Sequence, residues 1–114
     1  MTPEKFVQDI TEEIVNQDLL DYKKMLNSTI ESPDKYWQAA LNIYIHLPAG
    51  EKEYFLGFIR LIMVNTVSHF LGILDGTSFL NEDRDRIILT DKLTNERLNN
   101  FLQDIFLEME ERHD

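Results

Sequence analysis

The longest apolar stretch of the chain, residues 54–74, constrains its fold most strongly. Apolar side chains recur there at helical spacing, and more lie around the rest of the helix at Leu56, Leu61, Val64 and Ile73. A helix that is apolar on most of its sides is typically the buried centre of a domain. The pattern therefore predicts a buried central helix over about residues 51–74, closed by the turn signal of Asp75 and Gly76.

The same stretch is long enough to cross a bilayer, so a membrane span is the alternative. Arg60, Asn65 and His69 interrupt it. An arginine at the centre of a membrane helix costs roughly 2.5–3.5 kcal/mol in insertion assays. Because the other predicted helices would also lose the core for their apolar faces, the sequence favours a domain with no membrane contact.

Helix-start signals divide the rest of the chain. Thr2 with Pro3 begins the first helix, residues 32–34 (Ser-Pro-Asp) begin the second, and Thr94 is the expected N-cap of the last. Residues 19–30 either continue the first helix or form a separate one. The last helix carries an apolar stripe at Leu98, Phe101, Leu102, Ile105, Phe106 and Met109.

Residues 79–90 have the least helical sequence. Two short apolar runs, residues 79–80 and 86–90, flank a charged loop and fit a small β-hairpin. The prediction is a mainly α single domain over residues 1–114. It has four to five helices, a buried central helix and, as an option, that hairpin before the last helix.

Charge is the next constraint, since 21 acidic and 11 basic residues give a net charge of −10. The excess lies at the two ends of the chain. Direct nucleic-acid binding is disfavoured because it needs clustered Lys and Arg, and a basic protein partner is predicted instead. Solubility alone is the alternative explanation. The candidate partner-binding residues are Glu12, Glu13, Asp104, Glu108 and Glu111.

No motif in the sequence names a reaction. The chain has no Cys, no His-x-x-x-His or calcium-loop spacing, and no phosphate-binding glycine pattern. We therefore predict neither catalytic residues, a metal nor a cofactor. His69 with Asn65 one turn before it is interpreted as a hydrogen-bonded core pair, and the alternative is a ligand-binding or catalytic site around His69.

Residues 66–80, an apolar helix that ends in Leu74-Asp75-Gly76 and leads toward an Ile/Leu strand, resemble small bacterial immunity proteins of polymorphic or contact-dependent toxin systems. The resemblance implies a cytoplasmic inhibitor without catalysis that binds one toxin domain. The acidic charge suits a basic nuclease toxin. The N-terminus lacks the pattern of a signal peptide, which also favours the cytoplasm. A helical homodimeric adaptor or regulator remains the other interpretation, and the sequence leaves the oligomeric state open.

Overall fold

The computed structural model describes residues 1–28, 31–78 and 87–113, most of which are helical. A continuous helical run comprises α1 (Pro3–Ile10), a π-helical segment (Thr11–Asp18) and α2 (Leu19–Leu26). It is followed by α3 (Lys35–Ile45), α4 (Ala49–Asp75) and α5 (Leu102–Glu111). The mainly α prediction is confirmed.

The first helical run begins as its sequence predicts. The Thr2 hydroxyl oxygen accepts a hydrogen bond from the Lys5 amide at 3.1 Å, and Pro3 occupies the first turn, where no amide hydrogen is needed. The backbone remains helical through the π segment into α2. Of the two alternatives for this part of the chain, residues 19–26 therefore continue the first helix.

The start of α3 differs from the prediction by two residues. Asp34, not Ser32, is the N-cap, and its carboxylate accepts hydrogen bonds from the amides of Tyr36 and Trp37 at 2.8 and 2.9 Å. Ser32 lies outside the helix, where its hydroxyl accepts from the Asp34 amide. Asp and Ser are about equally favourable N-cap residues, so the local sequence was compatible with either start.

The end of α4 follows the predicted turn. Gly76 has a φ of 81°, in the left-handed region that glycine adopts without a steric penalty. The Thr77 amide then donates to the Gly72 carbonyl at 2.9 Å, which satisfies an acceptor at the end of the helix.

The prediction of Thr94 as N-cap of the last helix is wrong, since α5 begins at Leu102. Thr94 belongs to a turn in which the Asp91 carboxylate accepts from the amides of Leu93 and Thr94. Thr90 and Arg97 form an isolated antiparallel bridge. The first strand and the loop of the proposed hairpin lie outside the described residues.

Two groups of buried side chains hold the helices together. The main core contains Val7, Val15, Val67, Leu71, Leu102 and Phe106, and it joins the first helical run, the C-terminal half of α4 and α5. The small cluster contains Leu26, Tyr44 and Leu56, and it joins α2, α3 and the N-terminal half of α4. α4 contributes side chains to both groups and so connects them.

The molecule is elongated. Its radius of gyration is 17.3 Å, whereas a compact domain of this length has about 13 Å. α4 joins the two groups of buried side chains, but it is not the buried helix that its apolar sequence predicts. Its large apolar side chains Tyr54, Phe58, Leu61, Ile62 and Phe70 are exposed. The helices in the described ranges are too few to cover every side of α4.

Candidate functional site

The acidic residues predicted to bind a partner are all exposed, but they lie on two separate elements. Asp104, Glu108 and Glu111 follow at helical spacing on the outer face of α5, opposite the buried Leu102 and Phe106. This face is formed because the apolar side of α5 turns toward the main core. It leaves a row of carboxylates about 10 Å long in solvent.

Two neighbours shape this α5 surface. Leu107, between Asp104 and Glu108, is 43% exposed and adds an apolar patch. Arg112 forms an exposed ion pair with Glu108 one turn away. Such a surface pair is weak, so the carboxylate remains available to a stronger cation.

Glu12 and Glu13 lie in the π-helical segment. The Glu12 carboxylate accepts a hydrogen bond from the Asn16 amide group at 2.8 Å. A shallow surface depression beside them is lined by Met1, Phe6, Asp9 and Ile10, with no residue from α5. The structure thus places the two acidic groups on different helices.

Glu110 has a different role from its acidic neighbours. Its carboxylate pairs with the Arg60 guanidinium of α4 at 3.0 Å, and both side chains are largely shielded from solvent. This ion pair ties the middle of α4 to the end of α5. Sequence reasoning missed it because the partners are 50 residues apart.

The exposed face of α4 is the largest feature that the sequence interpretation missed. Tyr54 is 81% exposed, Phe58 is 61% exposed and Phe70 is 59% exposed. Apolar patches of this kind mark interaction sites in soluble proteins. Apolar side chains lie on nearly every side of this helix in the sequence. The sequence pattern therefore did not indicate which side would be left exposed.

His69 and Asn65 lie on this open side of α4, and both are exposed. The interpretation of His69 as a hydrogen-bonded core residue is therefore wrong. Its side chain points away from the main core because Val67 and Leu71 occupy the buried face of that turn.

Asp75 is buried and serves α5 rather than its own turn. Its two carboxylate oxygens accept hydrogen bonds from the amides of Asn100, Leu102 and Gln103 at 2.8–3.1 Å. Asp75, which the sequence indicated only as part of the turn that closes α4, thus makes long-range contacts. A carboxylate is well suited to this position, because the first amides of a helix have no partner within the helix and carry partial positive charge.

Asn99 completes the polar contact between α4 and the segment before α5. Its side-chain amide donates to the carbonyls of Leu74 and Ile87, and its oxygen accepts from the Leu89 amide at 2.9 Å. Each of these hydrogen bonds joins backbone to a buried side chain. Asp75 and Asn99 are thus buried because their hydrogen bonds join the end of α4 to the start of α5 and to the segment before it.

Among the residues that the structure describes, Asp91 has the most clearly shifted pKa. A hydrogen bond from the terminal ammonium of Met1 is the main cause, followed by the amides of Thr94 and Leu93, and together they lower the pKa of Asp91 from 3.8 to about 2. The ammonium and carboxylate lie 2.9 Å apart. The contact joins the start of α1 to the loop before α5.

A surface groove of about 790 Å³ runs along α3. Trp37, Leu41 and Ile45 form its apolar wall, and Glu31 lies at its edge. Its lining includes none of the predicted partner-binding residues. Within the described ranges, no three His, Asp or Glu side chains are grouped so that they could hold a metal ion.

Comparisons with protein-family models, with curated proteins and with solved structures give no match to this chain. Within the described residues, α4 is long and apolar enough to cross a membrane, a test that the core helix of a soluble protein also passes. Two exposed surfaces, the acidic face of α5 and the apolar face of α4, are the candidate functional sites of the described chain.

Proposed function

We propose that this chain is a non-catalytic acidic binding protein that neutralises a basic protein partner in the cytoplasm. The most concrete form of this function is an immunity protein that inhibits a bacterial toxin domain. The observation that carries the proposal is the exposed row of carboxylates formed by Asp104, Glu108 and Glu111 on α5. The resemblance of residues 66–80 to immunity proteins supports it independently.

The row of carboxylates suits a positively charged surface. Charges on a rigid helix attract an oppositely charged partner over a Debye length of about 8–10 Å, and they thereby raise the association rate. A nuclease binds its substrate through Lys and Arg side chains. A protein that pairs with those same cations covers the substrate site and inhibits without any chemistry of its own.

Specific binding needs more than charge, and the same face of α5 provides it. Leu107 exposes apolar surface among the carboxylates. Protein interfaces commonly combine an apolar centre with a polar rim. In this proposal Leu107 makes the short-range contact, while Asp104 and Glu111 set the orientation through ion pairs.

Glu12 and Glu13 contribute from a second helix. Residues 1–34 carry eight acidic and three basic residues, a net charge of −5 by count. In our proposal these charges act mainly on the rate of encounter, because they are exposed and belong to a different element from the α5 row.

The test is a double charge reversal, Glu108→Lys with Glu111→Lys. The toxin candidate is the product of the neighbouring gene, co-expressed and captured at low and at high salt. At low salt we expect the association rate to fall about tenfold or more, because rim charges act mainly on this step. The dependence of binding on salt should also become shallower.

Glu51→Lys with Glu53→Lys is the matched control. These residues are exposed at the start of α4, and the reversal changes the net charge by the same amount. The control should retain most of the affinity. Unchanged binding by the α5 variant at low salt would contradict the site, and equal losses in both variants would indicate a general charge effect instead.

A further inference from the structure

A regular ridge of side chains runs along the exposed face of α4. Tyr54, Phe58, Ile62, Thr66 and Phe70 succeed one another every four residues, and all five are exposed. Rows at this spacing are the ridges that fit into the grooves of a neighbouring helix. In the described chain, no other helix covers this ridge.

We propose that this ridge is the interface of a homodimer, in which α4 packs antiparallel against α4 of a second copy. The two-fold axis passes through Ile62, the middle residue of the ridge. Phe58 then lies near Thr66 of the partner subunit, whereas Tyr54 and Phe70 lie at the margins of the contact, because the ridge turns about 40° around the helix with every four residues. The ridge is suited to a copy of itself because aromatic residues stand at both of its ends.

The exposed aromatic side chains supply part of the area that a dimer requires. An aromatic side chain buries about 150–250 Å², so at their observed exposures Tyr54, Phe58 and Phe70 offer roughly 400 Å² per chain. Each partner of a standard interface buries about 800 Å². The three aromatic residues supply about half, and Ile62 with the adjacent exposed Leu61 adds to it.

The charge distribution permits two copies to meet on this face. The chain has a net charge of −10, but residues 35–100 hold eight acidic and seven basic residues and therefore only −1 of it. The ridge itself contains no charged residue. An antiparallel α4 pair brings together the neutral middle of each molecule and keeps the acidic faces of α5 away from the contact.

A membrane is the competing occupant of this apolar face, and the contacts of α4 disfavour it. Arg60 near the middle of the helix pairs with Glu110 of α5. Further along, the Gln103 side chain donates to the Ser68 carbonyl at 3.0 Å. Insertion across a bilayer would break both contacts or take α5 into the hydrocarbon, whereas dimerisation preserves them.

The first experiment measures the mass of the full chain by light scattering coupled to gel filtration. We expect about twice the 13.5 kDa of one chain. Phe58→Glu with Ile62→Glu should halve the measured mass without loss of helical circular dichroism, since both side chains are exposed. Leu93→Glu is the control. Leu93 is 94% exposed and does not belong to α4, so this variant should remain dimeric.

The second experiment locates the axis by cross-linking. The chain has no cysteine, so Ile62→Cys introduces a single thiol. When the axes of two helices are 8–10 Å apart, the Cα atoms of two equivalent residues on the two-fold axis lie within about 5 Å of each other. A disulfide can bridge that distance. Mild oxidation should link Ile62→Cys rapidly, whereas Gln8→Cys, exposed on α1, should remain largely unlinked.

Three results would overturn the homodimer. A monomeric wild-type chain would do so, and so would a dimer that the Phe58 and Ile62 substitutions leave intact. A monomer that sediments with phosphatidylcholine vesicles would assign the ridge to a membrane. This inference goes beyond the proposed inhibitor function, and the tests separate the two, since loss of the dimer leaves the α5 carboxylates in place.

Discussion

The two halves of α4 carry similarly apolar sequences but are packed very differently. The C-terminal half lies in the main core, where Leu71 is 1% exposed. The Asp75 carboxylate accepts from the Leu102 amide, and the side chains of Asn99 and Gln103 donate to carbonyls of α4, so that the helix is tied to the segment around α5. The N-terminal half meets only the small cluster, and its other side carries exposed Tyr54 and Phe58.

The difference shows that apolar composition alone does not bury a helix. Burial of the C-terminal half depends on α1 and α5, which reach it from distant parts of the chain. The N-terminal half has α2 and α3 on one side. Its remaining apolar surface, together with exposed Phe70 of the C-terminal half, forms the ridge on which we propose that the second copy binds.

The largest expected effect comes from the same substitution in each half. Leu71→Ala should lower the free energy of unfolding by about 4 kcal/mol, because it leaves a cavity in a closely packed core. Leu56→Ala should cost about 2 kcal/mol, since the small cluster lies near the surface and can relax around the lost side chain. Urea unfolding followed by circular dichroism measures both. Equal losses would mean that the two halves are equally well packed.

The second comparison removes one capping carboxylate from each region. Asp75→Ala should cost about 3 kcal/mol, because buried amides at the start of α5 lose their acceptor. Asp34→Ala removes the exposed N-cap of α3 and should cost about 1 kcal/mol, since water can replace the carboxylate there. Thermal unfolding measures the pair. A larger loss for Asp34→Ala would place the more important cap in the small cluster.

The smallest effect differs in sign between the halves. A β-carbon at Gly72 would lie 2.9 Å from the Gln103 side-chain oxygen, so Gly72→Ala displaces Gln103 and should cost about 1 kcal/mol. Nothing lies within 4 Å of such an atom at Gly57, so Gly57→Ala should stabilise by about 0.5–1 kcal/mol through helix propensity. Melting temperatures should move in opposite directions. A gain at Gly72 would mean that Gln103 adjusts without losing its hydrogen bonds.

Local signals predicted the helical class and several helix ends. Thr2 with Pro3 and the Asp75-Gly76 turn could be read directly, because a cap depends on residues within one turn of the helix. The start of α5 could not be predicted in this way. Its capping carboxylate is Asp75, 27 residues before Leu102, and no pattern of neighbouring residues indicates such a distant partner.

Of the two candidate surfaces, the sequence predicted the one on α5 but not the one on α4. Helical spacing was enough to place Asp104, Glu108 and Glu111 on one exposed face of α5, because the apolar residues of that helix lie clearly on its other side. Helical spacing was not enough for α4. Both Leu71 and Phe58 looked like core residues, and only one of them is buried.

By itself, the sequence of this protein determined helix class, the helix ends that are capped locally, and a net negative charge concentrated toward both ends of the chain. These properties follow from neighbouring residues and from composition. Only the tertiary structure decided that Asp75 caps α5, that Glu110 pairs with Arg60, and that one face of α4 stays open. The reason is that each of these depends on which distant segments meet, and helical periodicity carries no information about that choice.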